Sequence, residues 1–142
     1  MPRTLVPTDQ NIIDEYFRLN FIPGCHSISG VFALVAVYGK HPKELNHFQW
    51  GPRDSILLPG RKRPIYPLHP QWVALFNLKK KIRDTDKIGT FGLRLEQAIQ
   101  KGQVQIDIPS LLLSYKMRKV FYQPIKRKQL VPAAPEGACS LS

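Results

Sequence analysis

The residues of this chain whose types and spacing could do chemistry are mainly cations. They form four clusters: Arg61-Lys62-Arg63, Lys79-Lys80-Lys81 with Arg83, Lys116 with Arg118-Lys119, and Lys126-Arg127-Lys128. Lys and Arg displace condensed counterions from a nucleic-acid backbone, so each cluster is a candidate for phosphate contact. A single run of like charge is ordinarily a solvated face. Four in one small chain point instead to a polyanion. Aromatic residues are interleaved with them: Trp50 and Tyr66 flank the first, Trp72 and Phe76 precede the second, and Tyr115, Phe121 and Tyr122 surround the third. Aromatic rings stack on unpaired bases. Trp72 and Phe76 share a helix face and read as core. Trp50 and Tyr66 join the clustered cations as the expected RNA-contacting set.

The first cluster sits in the stretch PGRKRPIYPLHP, residues 59–70. Prolines keep its backbone extended, and consecutive cations on such a backbone suit threading along RNA or into a minor groove. Gly-Arg-Lys-Arg-Pro is also similar to a nuclear import signal or an AT-hook core, although the Arg-Gly-Arg-Pro of the hook is absent. The apolar residues that follow favour a segment embedded in an assembly over a free arm.

Other chemistry finds less support. Cys25-His26, His41, His47 and His69 offer thiol and imidazole ligands of the kind zinc takes. No CxxC is present and the spacings match no common zinc site, so neither metal nor cofactor is expected. Asp84 and Asp86 have oxygen donors for Mg²⁺, but Lys87 and the adjacent basic run read as simple charge balance. Ser27-Ile-Ser29-Gly30 lacks the frame of a nucleophile elbow, and no Walker loop or dinucleotide fingerprint occurs. With no nucleophile and base placed together, the expectation is a protein that is not an enzyme.

Composition agrees with the clusters. Of 142 residues, 21 are Lys or Arg and 10 are Asp or Glu, giving a net charge of +11. Such an excess repels itself in a compact fold unless a polyanion neutralises it; RNA, DNA and an anionic membrane face are the choices. At 43% hydrophobic residues the chain has the means to build a core. Cys25 and Cys139 form no disulfide framework, which implies a reducing, intracellular compartment. No apolar run is long enough to span a membrane. The start, MPRTLVPTDQ, lacks the apolar core of a secretory signal, and Asp9, Asp14 and Glu15 make a poor organellar presequence.

The elements that must position these residues follow from periodicity and punctuation. Residues 8–21 predict a helix capped by Thr8 or Asp9, with Ile12, Ile13, Tyr16 and Phe17 on one face and Pro23-Gly24 ending it. Residues 28–38, rich in β-branched side chains and apolar on both faces, predict a central strand, with Gly30 marking a bulge or close approach. Between 39 and 70 lie six of the thirteen prolines. Only a turn of helix at 42–48 and a short strand at 55–58 are expected there, the rest being extended segments that pack on the domain or a partner. A helix is predicted at 70–83, a turn at 84–89, a helix at 91–101 ended by Gly102, and a half-buried strand at 103–108. Ser110 caps a last helix, SLLLSYKMRKVFY, for which a strand is the alternative. The expected architecture is a small α+β domain over 1–125 with a short mixed sheet, three or four helices and a proline-rich extended segment at 42–70. A basic, then flexible tail covers 126–142.

Lys40-His-Pro-Lys-Glu-Leu45, then Trp50-Gly-Pro52, then Phe76-Asn-Leu-Lys-Lys-Lys-Ile-Arg83, with Gly30-Val31 ahead of them, resemble a stretch of one mitochondrial large-subunit ribosomal protein family. Residues 1–27 and 84–142 show nothing of it. The resemblance implies a place in an organellar ribosome.

These observations lead to one expectation: a non-catalytic structural component of a ribonucleoprotein, contacting RNA and neighbouring proteins, in the mitochondrion or the cytoplasm rather than the nucleus. The alternative is a small viral matrix-type or accessory protein that self-associates and binds RNA or anionic membrane. A nuclear module using Gly-Arg-Lys-Arg-Pro on duplex DNA has no helix-turn-helix or zinc pattern behind it.

Overall fold

The first helix begins where the capping residues place it. A computed structural model describes residues 6–83 and 86–130, with side chains for 6–83 and 86–120. In α1 (Asp9–Asn20) the Thr8 hydroxyl accepts from the Asn11 N–H while the Asn11 side chain accepts from the Thr8 N–H, a reciprocal capping box. Ile12, Tyr16 and Leu19 are buried on one face, as the spacing requires.

The expected strand at 28–38 is instead a helix, α2 (His26–Tyr38). Every residue from Ile28 to Tyr38 is buried, and α1 together with the helices at 78–81, 88–100 and 108–130 packs around it. A helix apolar on all sides belongs at the centre of a domain, and it leaves no 3.6-residue period to read. Length was the better guide, since the eleven residues of 28–38 are already long for a strand. Gly39 ends α2 at φ +68°, donating its N–H to Val35 O at 2.9 Å. Gly30 does mark a close approach, but between helices: a Cβ there would stand 2.7 Å from Ile82 Cδ1.

After a non-helical turn at 42–47 the chain forms a short meander. β1 (Gln49–Trp50) pairs antiparallel with β2 (Ile56–Leu57), the two joined by a 3₁₀ turn at Pro52–Asp54, and Ile65 forms an antiparallel bridge to Ile56. The sheet is antiparallel rather than mixed, and the fold is α+β with helices dominant.

The helix expected over 70–83 is broken. α3 (Pro70–Leu75) and α4 (Leu78–Lys81) are separated by Asn77 at φ +55°, a left-handed conformation that Asn tolerates better than most residues. α5 (Ile88–Gln100) begins before the predicted 91 and stops as predicted. Gly102 at φ +79° donates to Ile99 O and Gln103 donates to Ala98 O, a Schellman ending.

No strand forms at 103–108. The segment is held as an irregular turn by α1: Glu15, buried, accepts the Gln105 N–H at 2.7 Å, and the Arg18 guanidinium donates to Gln103 O. α6 (Ile108–Leu130) follows, capped by Asp107 rather than Ser110, since the Asp107 carboxylate accepts the Ser110 N–H at 2.9 Å. The backbone of 126–130 continues this helix. Residues 131–142, Cys139 among them, lie outside the described residues, as do Asp84 and the side chains of Phe121, Tyr122, Lys126, Arg127 and Lys128.

Candidate functional site

Local folding links the two central basic clusters through a short meander. The antiparallel bridge between Ile56 and Ile65 fixes the ends of the meander. Tyr66 is thereby set beside the 52–54 turn, and Arg61, Lys62 and Arg63 form the loop at the opposite end. A segment of about three residues separates the two ends, about 10 Å at the usual strand rise. Arg61, Lys62 and Arg63 are all exposed. At the Tyr66 end Arg53 lies 5.3 Å from the ring centroid and donates to the phenol oxygen at 3.4 Å. Arg53 is exposed and belongs to none of the sequence clusters.

The same turn reaches α4. Asp54 O accepts the Tyr38 hydroxyl at 2.6 Å, which anchors the turn on α2. Its carboxylate holds the Lys79 ammonium at 2.8 Å. Lys79 also stands 5.8 Å from the Trp50 ring centroid. Burial pushes the Tyr38 hydroxyl well above its ordinary range, with the Asp54 charge adding to it. The hydroxyl therefore stays a donor through neutral pH.

The remaining members of the expected set fall in different places. Trp50 is half-buried; its indole N–H donates to Ile82 O at 3.0 Å, and Phe48 and Tyr38 pack edge-on against its ring. It is a seat for Lys79 rather than a free plate. Lys80 and Arg83 are exposed. Lys81 crosses the Tyr16 ring, 5.0 Å from its centroid, to donate to the Asn20 side chain, and burial lowers its pKa. It ties α4 to the end of α1. Phe21, the residue after that end, is 82% exposed, more than any other large apolar side chain described. Lys116 and Lys119 are exposed on α6.

Arg118 departs from the expected phosphate contact. It is buried, donates to Ala36 O at 3.2 Å and to Ser114, lies over Trp72 at 4.9 Å, and meets the Asp9 carboxylate at 3.7 Å. It joins α6 to α2, α3 and α1. Nothing in its own neighbourhood of sequence separates it from Lys116 and Lys119.

Two open clefts lie elsewhere. One, of about 600 Å³, is lined by Asp14, Glu15 and Arg18; the other, of about 430 Å³, by His41, Glu96 and Asp107. Their carboxylates disfavour an anion. In the second, His41 Nε2 is 3.5 Å from Glu96 while its Nδ1 accepts the Lys43 N–H. The histidines and Cys25 do not converge: among the described residues no three His, Cys, Asp or Glu side chains are grouped as a metal would need. No described helix is long and apolar enough to cross a membrane.

No family model, no curated protein and no solved structure matches this chain.

Proposed function

We propose that this protein is a non-catalytic structural component of a ribonucleoprotein that binds RNA phosphates across the meander and α4. One observation carries the reading. Arg53–Tyr66 ties the 52–54 turn to the segment that carries Arg61–Arg63, and Asp54–Lys79 ties the same turn to the cations of α4, while the two clefts described are lined by carboxylates. Arg53, Arg61, Lys62, Arg63, Lys80 and Arg83 are the exposed cations that would meet phosphates there, with Lys79 in reserve behind Asp54. Neighbouring proteins of the particle and a mitochondrial or cytoplasmic setting belong to the same proposal.

The test is RNA binding over a salt series, together with sedimentation of the protein from its native cells with and without RNase. A salt-dependent affinity and an RNase-sensitive particle support it. Absence of RNA affinity at about physiological ionic strength refutes it.

The second reading, a matrix-type or accessory protein that self-associates and lies on an anionic membrane, is favoured by α6. Leu113, Met117 and Val120 are 41, 54 and 69% exposed at i, i+4 and i+7, and Lys116 borders them. An apolar stripe edged with cations suits a membrane surface. Flotation with phosphatidylserine vesicles, abolished by Met117→Glu, would favour this reading over the first.

A further inference from the structure

Two exposed aromatic side chains are tied to the elements that carry these cations. On one side Tyr66 is held against Arg53, and the 52–54 turn leads from it to Lys79. On the other, Lys81 reaches across Tyr16 to Asn20, which puts the α1 terminus, and with it Phe21, beside α4. Phe21 contributes little to the core at 82% exposure. Its backbone is fixed all the same: its N–H closes the end of α1 on Arg18 O, and the next residue, Ile22, bonds to Leu19 O at 3.1 Å. An uncovered ring on a fixed backbone, beside the residue that Lys81 grips, is an unfavourable surface in water. It is what a stacking site for a base requires, since every base has a π-face and no hydrogen-bond code is needed. A duplex has its bases already stacked inside and would offer such a ring nothing.

We infer that the face selects unpaired RNA, with Phe21 and Tyr66 stacking on bases either side of phosphates held by α4 and the meander. This rests on the RNA reading above and narrows its substrate to single-stranded segments without sequence preference. Phe21 and Arg53, both outside the sequence clusters, become part of the site.

The experiment is fluorescence anisotropy with an unstructured oligouridine of about 12 nucleotides and a blunt, fully paired RNA duplex with about as many phosphates, at fixed salt. The wild-type protein is expected to prefer the oligouridine. Phe21→Ala is expected to weaken that binding about ten-fold and leave duplex binding unchanged. Phe21→Trp should restore it, with its added indole emission quenched when oligouridine binds. Because Phe21 is so exposed, unchanged thermal unfolding of both variants is the control for folding. Equal affinity for the two RNAs and no effect of Phe21→Ala would overturn the inference while leaving phosphate binding intact. Failure to bind either RNA would overturn both. Phe21-dependent binding to phosphatidylserine vesicles with RNA binding unaffected would overturn the inference in favour of a membrane role for the ring.

Discussion

Replacing Asp54 by Asn should make this protein bind RNA more tightly. Asp54 is the acid that sits on the proposed face, and its carboxylate neutralises Lys79 at 2.8 Å. Both side chains are substantially exposed, 48% for Lys79 and 33% for Asp54, so the pair stabilises the fold by less than about 1 kcal/mol. The backbone role of Asp54 survives, because it is the main-chain oxygen that accepts the Tyr38 hydroxyl. Asn is also the best match to its φ of +61°. The substitution therefore frees one lysine at little structural cost. One more cation on a single strand steepens the slope of log K against log salt by about 0.7, which is worth about five-fold in affinity near 0.1 M salt. Anisotropy titrations from about 50 to 300 mM salt read both quantities, and urea unfolding reads stability. Lys79→Gln should leave the wild-type slope nearly unchanged, since that lysine is already paired. If Asp54→Asn bound no tighter, with wild-type binding still salt-dependent, RNA would not be meeting the meander and α4.

Four further outcomes follow from the packing. Gly39→Ala, at φ +68° with a Cβ that would stand 2.2 Å from the Tyr115 ring, should cost about 2–4 kcal/mol in urea unfolding, whereas Gly24→Ala, at φ +83° with open space around it, should cost only about 1–2 kcal/mol. Glu15→Ala should cost about 2–3 kcal/mol, since it strands the Gln105 N–H beside α1; Arg18→Ala, with a side chain 43% exposed, should cost less than about 1 kcal/mol. Stability should be greatest between two pH limits, read as urea midpoints: burial, aided by Arg118 and opposed by Asp9, lowers the His69 pKa, so its contribution is complete above about pH 6.5 and is lost as the unfolded chain protonates below it. At the alkaline limit burial raises Tyr16 to about 12 and Tyr38 further, so their contribution is complete below about pH 10 and declines above it as the unfolded chain ionises. Finally, Arg61→Gln, Lys62→Gln and Arg63→Gln together should weaken RNA binding and flatten the salt slope by about 2 without lowering the urea midpoint.

Local signals were read correctly where a few adjacent residues decide the outcome. Thr8 and Asn11 start α1, and Gly102 stops α5, without help from the rest of the chain. The central helix was misread because its signal is erased by its position: surrounded by packed helices, α2 needs no polar face. The break at Asn77 and the irregular turn at 103–108 depend on distant partners, respectively the Phe76 carbonyl taken by the Tyr16 hydroxyl and Glu15 reaching Gln105. The site divides the same way. Charge runs revealed Arg61–Arg63 and Lys79–Lys80 as surface, whereas the burial of Arg118 is decided by Ala36 and Asp9, and no local pattern contains it. Arg53 and Phe21 were missed because each stands alone in sequence. Phe21 did carry one signal, a large ring placed after a helix end and just before Pro23-Gly24.

The placement of the acids sharpens what the net charge alone suggested. Asp9 serves Arg118 and His69, Glu15 serves Arg18, and Asp54 serves Lys79; each of these carboxylates also positions backbone or joins elements. By contrast, no acid among the described residues lies within ion-pair distance of Arg61, Lys62 or Arg63. Their loop turns through Gly60 at φ +79° between Pro59 and Pro64, which fixes its course without any need for charge. Three adjacent cations on a proline-bounded loop repel one another and contribute nothing to the core. Neutral residues would fold at least as well there. The fold itself gives no account of that loop's charge, and three residues, about 10 Å at the usual strand rise, separate it from Tyr66, against which Arg53 lies. A polyanion bridging those two ends would relieve the repulsion that the folded chain leaves standing.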